Sequence, residues 1–352
     1  MSTEIMARPS PALPPQPRGV DWPTEAWPMG DVEAPASRKS VVDAVERFFA
    51  PETTPITGET HAVVIVQGGR LVLERYAEGF GPDVTCHSWS MAKSITQALV
   101  GLAVGDGKVD VSRPPDAPEW SARGDPRAAI TLDQMLRMSS GLAFVEDYVP
   151  GHVSDVIEML FGSGKEDVAH YAASRPLEHA PGSHFYYSSG TTNIISRSLG
   201  RALELNGAAF ERFMRARLFE PLGMKSPLPR FDEAGTFIGS SYCFCTPRDF
   251  ARFGLLYLRD GVWEGRRLLP EGWVDYARTR TWQQADCPEG PYGAHWWIDM
   301  FGQGVFSANG YDGQYIIIRP DRDLIVIRHG LSPLDAKERL QGRLGELVAL
   351  FD

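Results

Sequence analysis

The chain has 352 residues, 43% of them hydrophobic, and a formal net charge of -10. That length and apolar content support a large core, in one large domain or two interleaved ones. The acidic balance argues against nucleic acid and anionic membrane as partners, and no apolar run reaches the ~18 residues of a membrane span.

The first 35 residues hold eight prolines, including Pro14-Pro15, together with Trp22 and Trp27. Residues 1–37 are therefore expected to form an extended arm on the body rather than a domain. The N-terminus has no apolar h-region, so no signal peptide is expected and the expected compartment is the cytoplasm. Four cysteines, Cys86, Cys243, Cys245 and Cys287, fit reduced thiols in that setting. Cys243-Phe244-Cys245 reads as alternation in a buried strand, since no second Cys or His pair stands at ligand spacing. No metal and no cofactor is expected.

Residues 38–50 place Val41, Val45, Phe48 and Phe49 on one helical face, with Ser40 as the cap. The runs Ala62–Val66 and Leu71–Leu73 around Gly68-Gly69 predict a β-hairpin. A loop with Gly79, Gly81 and Pro82 then leads to Cys86-His87-Ser88-Trp89-Ser90-Met91-Ala92-Lys93-Ser94. Here Ser90-x-x-Lys93 heads an apolar-periodic helix carrying Ile95, Leu99 and Leu102. Residues three apart share a helical face, so the Lys93 amine can reach the Ser90 hydroxyl. A serine becomes a nucleophile only with a base beside it, and a lysine serves when its surroundings let it shed its proton. Taken alone, the tetrapeptide reads first as an N-cap serine followed by a solvated lysine, and it is the rest of the chain that reverses that reading.

Residues 106–129 are rich in Asp, Pro and Gly and read as a connection. Thr131 with Gln134 forms a capping box, and Ile130 can staple to Met135. Helical patterns follow at 152–161, 166–173, 188–204 and 207–218, and Thr246-Pro247-Arg248-Asp249 is a helix start. The C-terminal part changes to strands at 294–300, 304–308, 314–318 and 324–328, closed by an amphipathic helix over 334–351. Strands at both ends with helices between them predict an α/β (α+β) fold: an antiparallel sheet flanked by terminal helices, with an inserted all-α domain. The expected boundaries are 38–114 and 262–352 for the sheet domain and 115–261 for the insertion.

Two further stretches can carry chemistry. In Tyr186-Tyr187-Ser188-Ser189-Gly190 a phenol stands beside a helix start, where it can relay protons. In Ser307-Ala308-Asn309-Gly310-Tyr311 a strand meets a glycine bend, which lets a substrate approach the backbone and an edge N–H serve as an oxyanion donor.

Ser-x-x-Lys, then Tyr-Ser-Ser, then strand–Gly–strand, in that order, resembles the serine β-lactamase-like hydrolases. That group includes class C β-lactamases, D-alanyl-D-alanine carboxypeptidases, family VIII carboxylesterases and 6-aminohexanoate-dimer hydrolases, and the chain looks most like the last type and the esterases. The resemblance spans roughly residues 38–350 and implies the β-lactamase/transpeptidase-like fold. It also implies Ser90 as acyl-enzyme nucleophile, Lys93 as base and Tyr187 as second acid/base. The implied oxyanion donors are the backbone N–H groups of Ser90 and Tyr311. Tyr148 matches a loop tyrosine that touches the leaving group, and Ser189, Asn309 and Gly310 fall in the substrate-binding stretches.

Two departures stand out. Ala308-Asn309-Gly310 holds no cation where β-lactamases and DD-peptidases carry Lys or His, and Ser189 replaces an asparagine of class C enzymes. The expected substrate is a small ester or linear amide. The alternatives are β-lactamase or DD-peptidase activity, or a non-catalytic binding or scaffold protein on the same fold. A Gly-x-Ser-x-Gly elbow, a His-Glu-x-x-His pair and a P-loop are absent from the sequence. His87 is a weaker base candidate than Lys93, and His184 and His295 read as structural or cleft-lining. A homodimer stays open as an assembly.

Overall fold

The computed structural model describes residues 10–149, 151–281 and 291–352. Residues 1–9 of the expected arm and Cys287 lie outside them.

Six strands form one antiparallel sheet: β1 (Glu59–Gln67), β2 (Arg70–Tyr76), β3 (Trp297–Ile298), β4 (Phe306–Gly310), β5 (Gln314–Arg319) and β6 (Leu324–Leu331), in the spatial order β2-β1-β6-β5-β4-β3. The hairpin turns at Gly68 and Gly69, both with positive φ, as its Gly-Gly pair requires. The two chain ends meet where β1 pairs with β6, with Ile65 opposite Val326.

Alternation along each strand feeds two cores. Val63, Ile65, Ile317 and Val326 face a cluster with Val41, Val45, Leu340, Leu344 and Leu347 from the helices Arg38–Glu46 and Lys337–Ala349. Val64, Val66, Ile316 and Ile325 face a larger cluster that takes in Phe250 and Phe253 of the helix Pro247–Leu258 and Ile95 and Leu99 of the helix Ala92–Gly105. The helix Pro247–Leu258, placed by sequence in the middle stretch, thus lies directly on the sheet. Gly254 allows the approach: a Cβ there would stand 3.1 Å from Ile316. The arm covers the open edge of the sheet, with Met29 bridging Leu71 and the Gly30 N–H donating to Leu71 O at 3.1 Å.

Local details differ from the sequence pattern. The first helix ends at Glu46, and Ser37 rather than Ser40 caps it, accepting from the Ser40 N–H. The expected strand 294–300 shrinks to Trp297–Ile298, because His295 and Asp299 both take left-handed backbone and break the extension. The capping box at Thr131 and Gln134 forms as read. Among the described residues no helix is long and apolar enough to cross a membrane.

Candidate active site

Ser90 sits in a tight helical turn, Trp89–Met91, just ahead of the helix Ala92–Gly105. The helix begins two residues later than its apolar pattern implied, yet Ser90 and Lys93 still face the same side. Trp89 adopts a φ of 42°, a left-handed conformation that costs a bulky residue about 1–2 kcal/mol. The surroundings hold it there. Its N–H donates to His87 Nδ1 at 2.9 Å, and its ring stacks on the His87 ring with centroids 3.9 Å apart. The Ser88 hydroxyl donates to Ser241 O at 3.1 Å and accepts from the Cys243 N–H at 2.9 Å. His87 therefore shapes the turn that presents Ser90, and burial lowers its pKa to about 4, so it is neutral near pH 7.

Lys93 is 1% exposed. Burying an ammonium costs several kcal/mol unless its protons are matched by acceptors. Lys93 Nζ donates to Ser90 Oγ at 3.0 Å, to Ser189 Oγ at 3.0 Å and to the Ser240 carbonyl at 2.9 Å. In the ammonium form these three acceptors face its three N–H groups. The Tyr187 ring centroid lies 4.8 Å from Nζ, and the ring stacks on Trp297 at 5.4 Å.

Ser188 caps the helix Ser189–Ala202, its hydroxyl accepting from the Thr191 N–H. Ser189, expected in a substrate-binding stretch, is 1% exposed and points the other way. Its hydroxyl accepts from Lys93 and donates to Glu146 Oε1 at 2.6 Å, while its N–H donates to Glu146 Oε2 at 2.8 Å. Tyr148 OH also donates to Glu146 Oε1, at 2.6 Å. Burial, the Glu146 charge and this bond push the Tyr148 phenol well above its ordinary pKa. Glu146 and Asp147 are adjacent acids in one loop. The fold separates them: Asp147 binds His152 and the Val149 N–H, whereas Glu146 turns inward. Nothing in the spacing of Glu146 marks it as a site residue.

The third stretch runs along β4 into the turn Tyr311–Gly313. Gly310 has an ordinary extended φ of -126°. It is small because a Cβ there would lie 2.4 Å from Ser88 O, so the glycine admits the chain's own Ser88–Ser90 turn. Arg328 underlies this turn and is fully buried. Its guanidinium donates to the carbonyls of Asp312 at 3.1 Å, Gly313 at 2.7 Å and Glu59 at 2.7 Å, and to Thr60 Oγ1 at 3.1 Å. Burial lowers its pKa to about 10.

A cavity of about 190 Å³ opens over Ser90. Ser90, Tyr148, Tyr187, Asn309, Gly310 and Tyr311 all line it, and Lys93 and Ser189 stand behind its wall. Asn309 Nδ2 contacts Met300 Sδ at 3.1 Å. Glu146 lines the cavity near Ser90, and Lys337 forms part of the same lining. His295 is buried away from it, bonding Leu136 O and Thr192 Oγ1, and His184 packs on His179. Cys243 and Cys245 are both buried beside the short strand Cys243–Phe244, with sulfurs 3.9 Å apart.

The family model described as Beta-lactamase matches residues 58–329. A 6-aminohexanoate-dimer hydrolase from Paenarthrobacter ureafaciens is 25% identical over 324 residues, covering 87% of this chain and 81% of its own length. A Bacillus anthracis protein provisionally described as a 6-aminohexanoate-dimer hydrolase superposes with a TM-score of 0.73 at 19% identity, covering 96% of this chain and 90% of that one. A family VIII carboxylesterase superposes with a TM-score of 0.64 at 12% identity, covering 90% of this chain and 99% of that one. At those identities the two structures speak to the fold alone.

Proposed function

The chain belongs to the beta-lactamase family of serine hydrolases, and we propose that it cleaves a small ester or linear amide through an acyl-enzyme on Ser90. The observation that carries this reading is the contact of Lys93 with Ser90 at 3.0 Å, at the floor of a cavity that Tyr187 also lines. Ser90 Oγ attacks the substrate carbonyl and its proton passes to neutral Lys93. The developing oxyanion is met by the N–H groups of Ser90 and Tyr311. Tyr187, against Lys93, delivers a proton to the leaving alcohol or amine. Lys93 passes the proton it took from Ser90 on to Tyr187; water then attacks the acyl carbon as neutral Lys93 takes a proton from it, and that proton returns to Ser90 Oγ as the acid leaves.

The third stretch supports the choice of substrate. Ala308 is buried and carries no charge, so a β-lactam carboxylate finds no cation at that position. A linear amide such as the 6-aminohexanoate dimer, the substrate in the name of the Paenarthrobacter relative, is the amide candidate.

The test is a fluorophosphonate label mapped by peptide mass, with a screen of short p-nitrophenyl esters, linear amides including that dimer, and nitrocefin. A single label on Ser90 and turnover of an ester or linear amide ahead of nitrocefin are expected. An unlabelled protein would favour a binding or scaffold role. Efficient nitrocefin cleavage with weak ester turnover would favour a β-lactamase.

A further inference from the structure

We propose that Glu146 is a positioning residue that aims the lone pair of Lys93 at Ser90, acting through the hydroxyl of Ser189. The proposal rests on the serine-hydrolase reading above and adds a member to its machinery.

The argument is a count of donors and acceptors. A carboxylate only accepts hydrogen bonds. Glu146 Oε1 lies 2.6 Å from Ser189 Oγ, so the single hydroxyl proton of Ser189 is committed to Glu146. Ser189 Oγ can then only accept from Lys93, across the 3.0 Å contact. The Ser240 carbonyl, 2.9 Å from Nζ, is likewise only an acceptor. A neutral lysine amine has two N–H groups and one lone pair. With both N–H groups drawn to Ser189 and Ser240, the lone pair is left facing Ser90 Oγ, 3.0 Å away. Without Glu146, the Ser189 hydroxyl is free to turn its proton onto that lone pair and quench the base.

The same carboxylate serves the next step. When Ser90 Oγ bonds to the acyl carbon, its proton moves to Nζ and leaves an ammonium in a buried site. Glu146 stands one hydroxyl away and offsets that charge. It is held in place from three directions: by the Ser189 N–H at a helix N-terminus, by the Ser189 hydroxyl and by Tyr148 OH. Ser90, Tyr187 and the neutral ring of His295 also stand around Lys93. Tyr148 and Tyr186 surround Glu146, the latter accepting from the Glu146 N–H, and Asp147 is engaged by His152. Lys337 and Asp312 complete the charged lining of the cavity.

The experiment measures the second-order rate of fluorophosphonate labelling of Ser90 against pH, in the parent, Glu146→Gln, Glu146→Asp, Ser189→Ala and Glu146→Gln/Ser189→Ala, with thermal melts as fold controls. Labelling needs an activated serine but no knowledge of the natural substrate. Glu146→Gln is expected to lower the plateau rate by roughly 10- to 100-fold. It should also move the acid limb to lower pH, because an ammonium without a nearby anion sheds its proton sooner. Glu146→Asp should keep the limb where the parent has it. The double variant should be no slower than the slower single one within about twofold, as expected of residues acting as one unit. Superimposable limbs in parent and Glu146→Gln, or singles whose losses multiply in the double variant, would overturn the proposal. A parent that takes no label at all would instead overturn the serine-hydrolase reading, and this proposal with it.

Discussion

A Cβ on Gly310 would stand 2.4 Å from the carbonyl oxygen of Ser88. The strand that borders the cavity and the turn that carries Ser90 are thus in backbone contact, and each sets the other's position. Gly310→Ala forces them apart although its φ suits any residue. An overpacked site of this kind typically costs about 1–3 kcal/mol. The expected outcome is a lowered denaturation midpoint together with at least a tenfold loss in ester kcat/KM. A variant as active as the parent would break the link between this contact and the geometry of Ser90.

Ser90→Ala should abolish ester turnover with little change in the thermal melt, by ~10³-fold or more for a nucleophile within a catalytic unit. Lys93→Arg should be as inactive as Lys93→Ala, because a guanidinium does not deprotonate in the working range. Full activity in Lys93→Arg would rule out lysine as the base.

His87→Ala removes the ring that accepts from the Trp89 N–H and stacks on its indole. The loss expected is of the turn's precision rather than of a titrating base. With its pKa near 4, His87 is already neutral across the range where activity would be measured. The variant should lose less than about tenfold in kcat/KM, well short of a nucleophile's loss, and keep the parent's pH limbs. Disappearance of a limb would make His87 the base after all.

Arg328→Met takes the guanidinium donor away from the half-buried carbonyls of Gly313 and Glu59 and leaves Asp312 O with the Ser332 N–H. Each such lost hydrogen bond costs about 0.5–1.5 kcal/mol, so a loss of stability is expected. At a temperature where the variant is still folded, kcat should fall more than KM rises, because the turn it supports carries the Tyr311 N–H. An unchanged kcat would separate Arg328 from the proposed oxyanion site.

Acid should unfold the protein early. Burial pushes His295 and His329 from the ordinary 6.5 down to about 3. The unfolded chain binds protons on both rings below about pH 6.5 while the folded chain does not. Their stability contribution is therefore complete above pH ~6.5 and is lost as the pH falls toward 3, at roughly 1.4 kcal/mol per pH unit for each ring. Urea midpoints should decline steadily from pH 6.5 to 4, and a flat profile there would contradict the neutral buried rings.

What the sequence determined by itself is what local physics decides. The Gly-Gly hairpin, the capping box at Thr131 and the three-residue step from Ser90 to Lys93 depend only on neighbours along the chain. The order of the three stretches was legible for the same reason, as was the change from helical to strand patterning near residue 294. Tertiary structure alone decided the rest. Lys93 takes a carbonyl from Ser240, 147 positions away, and Arg328 ties the turn at 312–313 to Thr60, 268 positions away. Glu146 and Asp147 are adjacent acids of equal charge, and only packing turns one toward Ser189 and the other toward His152. Such contacts arise when distant segments are pressed together by burial of the two cores, and no periodicity in the chain encodes which side chain will meet which.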